Sequence, residues 1–419
     1  MMKLRQLLAS LMLVALLVLS LAAFPSAPGI RGHAGAMAPD AGIITVWHSW
    51  SDSEQVALDA VVAAFKAQHP LVLVNVQYIP FDDLRAEYEA AVAGGGGPTV
   101  LIGASDWGPP FWDAGLVADL TSLADPALLA TILPCALPPV RYAGALIGLP
   151  QSTKGVVLYR NSSIIGQAQT TYEDLVAAAQ AATGGDILGA MLERGFFFAV
   201  GHLHGLGGQL MYQTGCPAFN DATGVAWVNL LDSFTDAGPA VYYTDEDLDR
   251  FKTGTLGYII DGTWNLYALR DAVGQENLAI DPWPTPLSGY VQVENVYLNP
   301  NATGSERDEG WNFIEFFLSP EAQTLLLNAG HVPVVTEVPI TDPLMQQALD
   351  AFAGGTAFPV VPELVAYWGP MDTALLSVFG GGADPAQALQ TAYNDIVASL
   401  VGMGVHCSQA YLPLICRNW

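Results

Sequence analysis

Ten tryptophans stand in the chain, and four of them sit where apolar runs stop: Trp47 and Trp50 in ITVWHSW, Trp107 and Trp112 in ASDWGPPFWDAG. Trp264, in YIIDGTWNL, follows a strand-like run that ends in Asp-Gly-Thr, and Trp368 lies in LVAYWGPMD. Asp52, Asp106 and Asp261 lie close by in sequence. Flat aromatic faces set beside carboxylates and amides suit a ligand with weakly polar C–H faces and hydroxylated edges, the chemistry of a sugar ring. The competing reading of any one indole is core filler. Trp47, Trp50 and Trp107 are as well placed for packing as for contact.

Reaction chemistry is poorly represented. The chain has no G-x-S-x-G, no H-E-x-x-H, no Walker loop and no EF-hand loop. GGGGPT at 94–99 lacks the Lys-Ser/Thr of a phosphate loop and reads as a helix end. DEDLD at 245–249 lacks the glycine and terminal glutamate of a calcium loop and reads as a solvated acidic turn. His202 and His204 in HLH alternate as strand neighbours would, but no cysteine or acid cluster accompanies them. No catalytic residue, metal site or cofactor is assigned. A carboxylate pair for glycoside hydrolysis could be drawn from 40 acids, yet nothing in the spacing of Asp52, Asp106 and Asp261 separates an acid from a nucleophile.

Such side chains need elements that bring them to one place. Residues 43–50 read as a strand, followed by Ser51 and Glu54 as an S-x-x-E capping box. Leu58, Val61, Val62 and Phe65 then share a helical face, which His69-Pro70 ends. LVLVNVQY alternates, with Val72, Val74, Val76 and Tyr78 on one side. Asp82 and Asp83 open a second helix whose face carries Phe81, Leu84, Tyr88 and Val92; the four glycines stop it, and TVLIG is a third strand. The β-α-β-α-β order predicts a parallel sheet with right-handed crossovers, and ligands gather at the carboxyl ends of such strands. A second α/β region spans about 171–281, with a helix at 172–182, the aromatic turn RGFFF and the run YIIDGTWNL. SGYVQVENVYLNP is strand-like, GWNFIEFFLSPEAQ is an amphipathic helix, and FPVVPELVAYWGPMDTALLSVF adds another.

At 419 residues the chain is long enough for two or three domains. Its 40 acids against 14 Lys and Arg leave a net charge of −26, which repels phosphate backbones, so nucleic acid is not an expected partner. Lys3 and Arg5 precede a long apolar run, and small residues follow, the layout of a secretory signal with its cleavage site at Ala34-Gly35-Ala36. No cysteine precedes Cys135, so an N-terminal lipid-modified cysteine is not expected. In an exported protein the four cysteines suggest disulfides with three possible connectivities. Cys407 with Cys416 closes a short loop and is the favoured pair, leaving Cys135 with Cys216.

Taken in order, ITVWHSW, PFDDLRAEYEAAVAGGGGPTVLIGASDWGPPFWDAGLVADL, RYAGALIGLPQSTKGVVLYRN, FKTGTLGYIIDGTWNL, GHVPVV and FPVVPELVAYWGPMDTALLSVFGGGADPAQAL resemble the extracellular solute-binding proteins of ABC importers. The group is the one typified by maltose-binding protein and other oligosaccharide binders. The resemblance implies an α/β fold of the periplasmic-binding-protein type II: two discontinuous lobes, a hinge and an interlobe ligand cleft. On this chain it places a signal peptide at 1–36, N-lobe segments at 43–152 and 289–336, C-lobe segments at 153–288 and 337–402, and a tail at 403–419. Crossovers fall near 151–155, 288–292 and 334–338.

It further implies a sugar or oligosaccharide ligand, no enzymatic activity, and a membrane permease partner that reads the closed form; a monomer is expected. By position Trp264 and Trp368 match sugar-stacking tryptophans, Asp106 an aspartate that bonds sugar hydroxyls, and Phe197 a ligand-packing tyrosine. Lys154 stands where the maltose binder has an acidic residue, Trp107 replaces a basic one, and Phe197 lacks the hydroxyl, so the sugar class rather than maltose is the expectation. The expected ligand set is Trp264, Trp368, Asp106, Trp107, Trp47, Trp50, Phe197, Lys154 and Asp261. The alternatives are a secreted carbohydrate-active enzyme and a same-fold binder of a non-sugar solute.

Overall fold

The three N-terminal strands form as β1 (Ile43–His48), β2 (Leu73–Tyr78) and β3 (Val100–Ala104) in the computed structural model, which describes residues 42–407. The proposed signal segment with its cleavage site, and Cys416, lie outside the described residues. β2 and β3 both run parallel to β1, as the β-α-β-α-β pattern predicts. A short ribbon, β4 (Arg141–Tyr142) with β5 (Ala145–Leu146), leads into the long β6 (Leu149–Asn161). Then follow β7 (Leu188–Met191), β8 (Leu256–Gly262), β9 (Leu278–Asp281), β10 (Tyr290–Leu298) and β11 (Thr356–Ala357).

The main sheet runs β2-β1-β3-β10-β6-β8-β7, with β11 beside β10 and β9 beside β6. β6 and β10 hold it together. The first half of β6 pairs antiparallel with β10, Leu149 opposite Val296 and Gly155 opposite Val291, and its second half pairs with β8 and β9. Beyond β6 on the other side, β10 pairs with β3.

A core thus forms on either side of these shared strands. One gathers Ile44, Val46, Leu58, Val61 and Phe65 against Phe313 and Phe317. The other gathers Leu158, Phe196, Trp227, Tyr258, Tyr367 and Leu389. Side-chain spacing explains the helices that cover them. Helix Asp52–Gln68 buries Ala57, Leu58, Val61 and Phe65 at turn spacing and stops at His69-Pro70. Helix Phe81–Ala93 buries Leu84, Tyr88 and Val92, and its polar face meets solvent together with Phe81. Gly95 and Gly97, at φ +85° and +95°, turn the chain away at its end, a conformation that costs a glycine little.

Four local expectations are corrected. Ser51 makes no side-chain capping bond, because Glu54, the other half of the box, instead faces the charged partners Lys154 and His331. Tyr78 is half-exposed, since β2 is the sheet's edge. His202 and His204 lie on a helix, Phe196–Gly205, because Gly201 and Gly205 let that helix rest directly on the 286–289 backbone. His202 is buried there; burial pulls its pKa down to about 4, and its Nδ1 accepts the Ser288 N–H at 3.1 Å. Among the described residues no group of three His, Cys, Asp or Glu is placed to hold a metal.

The fourth correction concerns the cysteines. Cys216 is bonded to Cys407, across 191 residues, and Cys135 is exposed and without a disulfide partner among the described residues. Both pairings expected from the sequence fail, because lobe packing carries residues 212–217 to the end of helix Pro385–Gly402. The buried Tyr367 hydroxyl anchors that loop, donating to the Gly215 carbonyl at 2.6 Å. Because the bridge closes so long a loop of the unfolded chain, Cys216→Ser should lower stability by about 2–4 kcal/mol in urea unfolding. Cys135 should react with a thiol reagent in the native protein without denaturant.

Candidate functional site

The Trp264 turn is built by its neighbours. β8 is buried throughout and ends in Asp261-Gly262, after which residues Thr263–Asn265 make a single 3₁₀ turn. The Asp261 carboxylate accepts the Gly262 N–H and, at 2.9 Å, the Asn265 amide, so it clamps the turn; burial raises its pKa to about 7. Gly262 leaves room for the indole to fold back, since a Cβ there would come within 2.1 Å of the Trp264 ring. The indole therefore lies across the strand end, half-buried.

Other rings converge on it. Phe197 and Phe198, in the first turn of helix Phe196–Gly205, have their centroids 6.1 and 6.2 Å from Trp264. Trp368 opens helix Trp368–Phe379 and lies within 27° of parallel to Phe197 at 6.3 Å. Phe358 is 5.7 Å from Trp368. Tyr290, the first residue of β10, meets Phe197 edge-on at 5.0 Å and Phe358 at 4.8 Å. Rings from five separate stretches of chain thus make one aromatic floor.

Acids hold this floor from behind. Glu193 accepts the backbone N–H of Gly195 at 2.6 Å and of Tyr243 at 2.8 Å. The Tyr243 hydroxyl accepts the Phe197 N–H at 2.8 Å, and Tyr242 donates to Asp372 at 2.6 Å. From the other lobe comes Asp106, in the turn Ser105–Trp107 that follows β3. It is buried, and burial raises its pKa to about 6 against the opposing pull of Arg85. Its Oδ1 accepts from the Gln292 amide at 3.3 Å. Gln292 is two residues from Tyr290, so β10 presents both on one face.

The remaining expected residues lie elsewhere. Trp50 is 1% exposed, with its Nε1 donating to Glu294 at 3.1 Å and its ring tilted over His331 at 4.6 Å. Trp107 is buried above Gly103, between Phe81 and Phe111 at 5.3 and 6.1 Å. Trp47 is half-buried against the same cluster. Lys154 is spoken for: its Nζ sits 2.7 Å from Glu54 and 2.9 Å from Glu294. Burial would lower its pKa, but the two carboxylates outweigh burial and raise it. Burial likewise pushes Glu54 up, yet Lys154 and His331 bring it down to about 2. Of the expected set, then, the structure joins Trp264, Trp368 and Phe197 in the floor and sets Asp106 beside Gln292, with Asp261 as a brace. Tyr290, Gln292 and Phe358 were missed. Their only signal was strand alternation or apolarity, which does not distinguish a cleft face from a core face.

Lys154→Met would leave Glu54 and Glu294 buried without their cation, at a cost of about 3–5 kcal/mol in denaturant unfolding near neutral pH. Glu54's folded pKa lies below its ordinary 4.5, so its contribution is complete above that value and is lost as the pH falls toward 2. The deficit of the variant should therefore shrink across that acid window.

A family model described as bacterial extracellular solute-binding protein matches residues 60–353. The maltotriose-binding protein of Pyrococcus abyssi (strain GE5 / Orsay) is 24% identical over 366 residues, covering 80% of this chain and 77% of that protein. The galactooligosaccharide-binding protein of Bacillus subtilis (strain 168) is 26% identical over 377 residues, covering 82% and 86%. Among solved structures, the GacH receptor of Streptomyces glaucescens GLA.O is similar at a TM-score of 0.78 and 21% identity, over 88% of this chain and 100% of that one. The maltose/maltodextrin-binding domain MalE of Bdellovibrio bacteriovorus, bound to maltotriose, is similar at 0.78 and 21%, over 86% and 100%. These likenesses show the fold, two α/β lobes on shared strands as in maltose-binding-protein-type structures. With the family match spanning well over half of its length, the chain belongs to the bacterial extracellular solute-binding proteins.

Proposed function

We propose that this chain is exported, captures a sugar or oligosaccharide between its lobes, and delivers it to the membrane permease of an ABC-type importer. The observation that carries the reading is the aromatic floor of Phe197, Trp264, Tyr290, Phe358 and Trp368, which shares a strand face with the Gln292–Asp106 pair. Stacked rings take up the C–H faces of a sugar, and a carboxylate and an amide take up its hydroxyls. The relatives named for maltotriose and galactooligosaccharide binding support the same ligand class.

In this reading the lobes consist of residues 43–152 with 289–336 and of 153–288 with 337–402. They close on the ligand by bending near the crossings. The protein acts as a monomer, released after Ala36. Trp47, Trp50 and Trp107 shape the N-lobe side rather than stack on the sugar, Lys154 at the crossing pairs with Glu54 and Glu294, and Asp261 holds the Trp264 turn.

Maltotriose, maltose and galactotriose should be screened by thermal shift, with amino acids and divalent metals as controls. A ligand at a hundred times its Kd adds about 2.7 kcal/mol to stability, a readily measured rise in Tm. A shift with amino acids or metals and none with sugars would sink the reading. Trp264→Ala should abolish the sugar shift while leaving the unliganded Tm within a few degrees.

Binding should also depend on pH. A sugar hydroxyl donating to Asp106 favours its charged form, whose folded pKa has been raised to about 6. Affinity should therefore fall as the pH drops through 6, and binding near that pH should release protons. Calorimetry in two buffers of different ionisation enthalpy measures the release; Asp106→Asn should bind weakly and without the pH dependence.

A further inference from the structure

The hydroxyl of Tyr290 is an anomaly in the aromatic floor. The residue is 2% exposed, and its hydroxyl finds no hydrogen-bond partner among the described residues. Buried polar groups are nearly always paired, and a phenylalanine would fill the same space without stranding a donor. Burial raises the phenol's pKa, and Tyr243 and Asp106 raise it further, so the group is a protonated donor that feels one lobe's tyrosine and the other lobe's carboxylate. Its ring is held edge-on by Phe197 and tilted by Phe358.

The backbone around it is equally constrained. Val291 pairs with Gly155 of β6, and its carbonyl accepts the Phe358 N–H at 2.9 Å. The Gly289 carbonyl accepts from Thr356 at 3.2 Å. Tyr290 thus sits at the start of the strand that both lobes share, locked by packing on its ring and pairing on its backbone. Such support is what a contact needs if it is to discriminate between ligands.

We infer that Tyr290 is a specificity-determining residue: its phenolic hydroxyl hydrogen-bonds a hydroxyl of the bound sugar and selects ligands that carry it over deoxy analogues. The inference rests on the sugar-binding reading and extends it to a residue on the hinge strand. A site that hydrogen-bonds a ligand hydroxyl rejects the analogue lacking it far more strongly than an apolar pocket rejects a missing methylene, because a buried polar group is left alone. An unpaired hydroxyl in the unliganded protein also makes a prediction of opposite sign for stability. Removing it takes away a destabilising feature rather than a bond.

The test compares wild type with Tyr290→Phe, using whichever of maltotriose and galactotriose gives the larger thermal shift, together with its monodeoxy derivatives. The variant should bind the parent sugar roughly tenfold more weakly, the loss of one hydrogen bond. It should bind one monodeoxy derivative as well as wild type does, and its unliganded Tm should be equal or higher. Equal affinity of wild type and variant for the parent sugar overturns the inference and leaves the sugar reading intact. A fall of several degrees in unliganded Tm also overturns it, showing that the hydroxyl serves the fold. Wild-type protein that binds neither sugar overturns both.

Discussion

β6 and β10 run antiparallel from Leu149 opposite Val296 to Gly155 opposite Val291, and each continues past that ladder into pairing with another part of the sheet. This shared pairing constrains the rest of the molecule. Side chains alternate along a strand, so a slip of one residue would turn Tyr290 and Gln292 from the side of the aromatic floor to the opposite one. The ladder changes register between Glu294 and Asn295. The extra residue is Gln151 on β6, between Pro150 opposite Asn295 and Ser152 opposite Glu294, while β10 itself alternates unbroken, offering Gln292 to Asp106 on one face and burying Tyr297 against Phe111 on the other. The crossing itself is tight. A Cβ on Gly155 would come within 2.3 Å of the Phe352 ring and 2.8 Å of the Tyr290 carbonyl, so only glycine lets the two chains pass.

Around this crossing the protein places a buried cluster of charge in an otherwise charge-poor chain. Glu54, Lys154 and Glu294 meet beneath Trp50, with His331 3.2 Å from Glu54 and Gln151 donating to Glu294 at 2.6 Å. Burying ions is costly, and a buried pair seldom adds net stability over an apolar replacement, but it punishes misplacement severely. Here it ties the start of the first helix to both crossing strands. Arg160 does similar work on the C-lobe side, with its Nε 2.8 Å from Asp281. These two cations are thus committed to structure, and burial raises the pKa of Asp106 beside Gln292 in spite of the opposing pull of Arg85. A neutral, hydroxyl-bearing ligand suits such a site better than an anion.

The aromatic floor depends on what is missing as much as on the rings. Gly262 lets Trp264 fold over the end of β8, and Gly103 lets Trp107 lie over β3. The two turns look alike in sequence, a glycine followed by a tryptophan a few residues on, yet their indoles have different fates. Trp264 stays half-buried among Phe197 and Phe198, whereas Phe81 covers Trp107. The difference comes from the helix that packs next to each turn, which local sequence does not reveal.

Periodicity and punctuation by themselves determined the first three strands, their parallel order and the helices between them, because 3.6- and 2-residue patterns are local properties of the chain. They also determined that tryptophans would lie at strand ends, and the ordered resemblance located the Trp264 turn and the Trp368 helix. What only the tertiary structure decided is which side chains are already committed. Glu54 looked like half of a capping box and is an ion-pair partner of Lys154; Lys154 looked like a ligand contact and bridges two carboxylates. His202 looked like a strand residue and is a neutral core histidine, and Cys407 crosses the lobe to Cys216. Tyr290 and Gln292 gave no signal beyond alternation. Each of these outcomes turns on partners distant in the chain, 86 residues for His202 with Ser288 and 100 for Glu54 with Lys154, or on competition between a weak local bond and a stronger distant charge, and neither is written in the spacing of neighbouring residues.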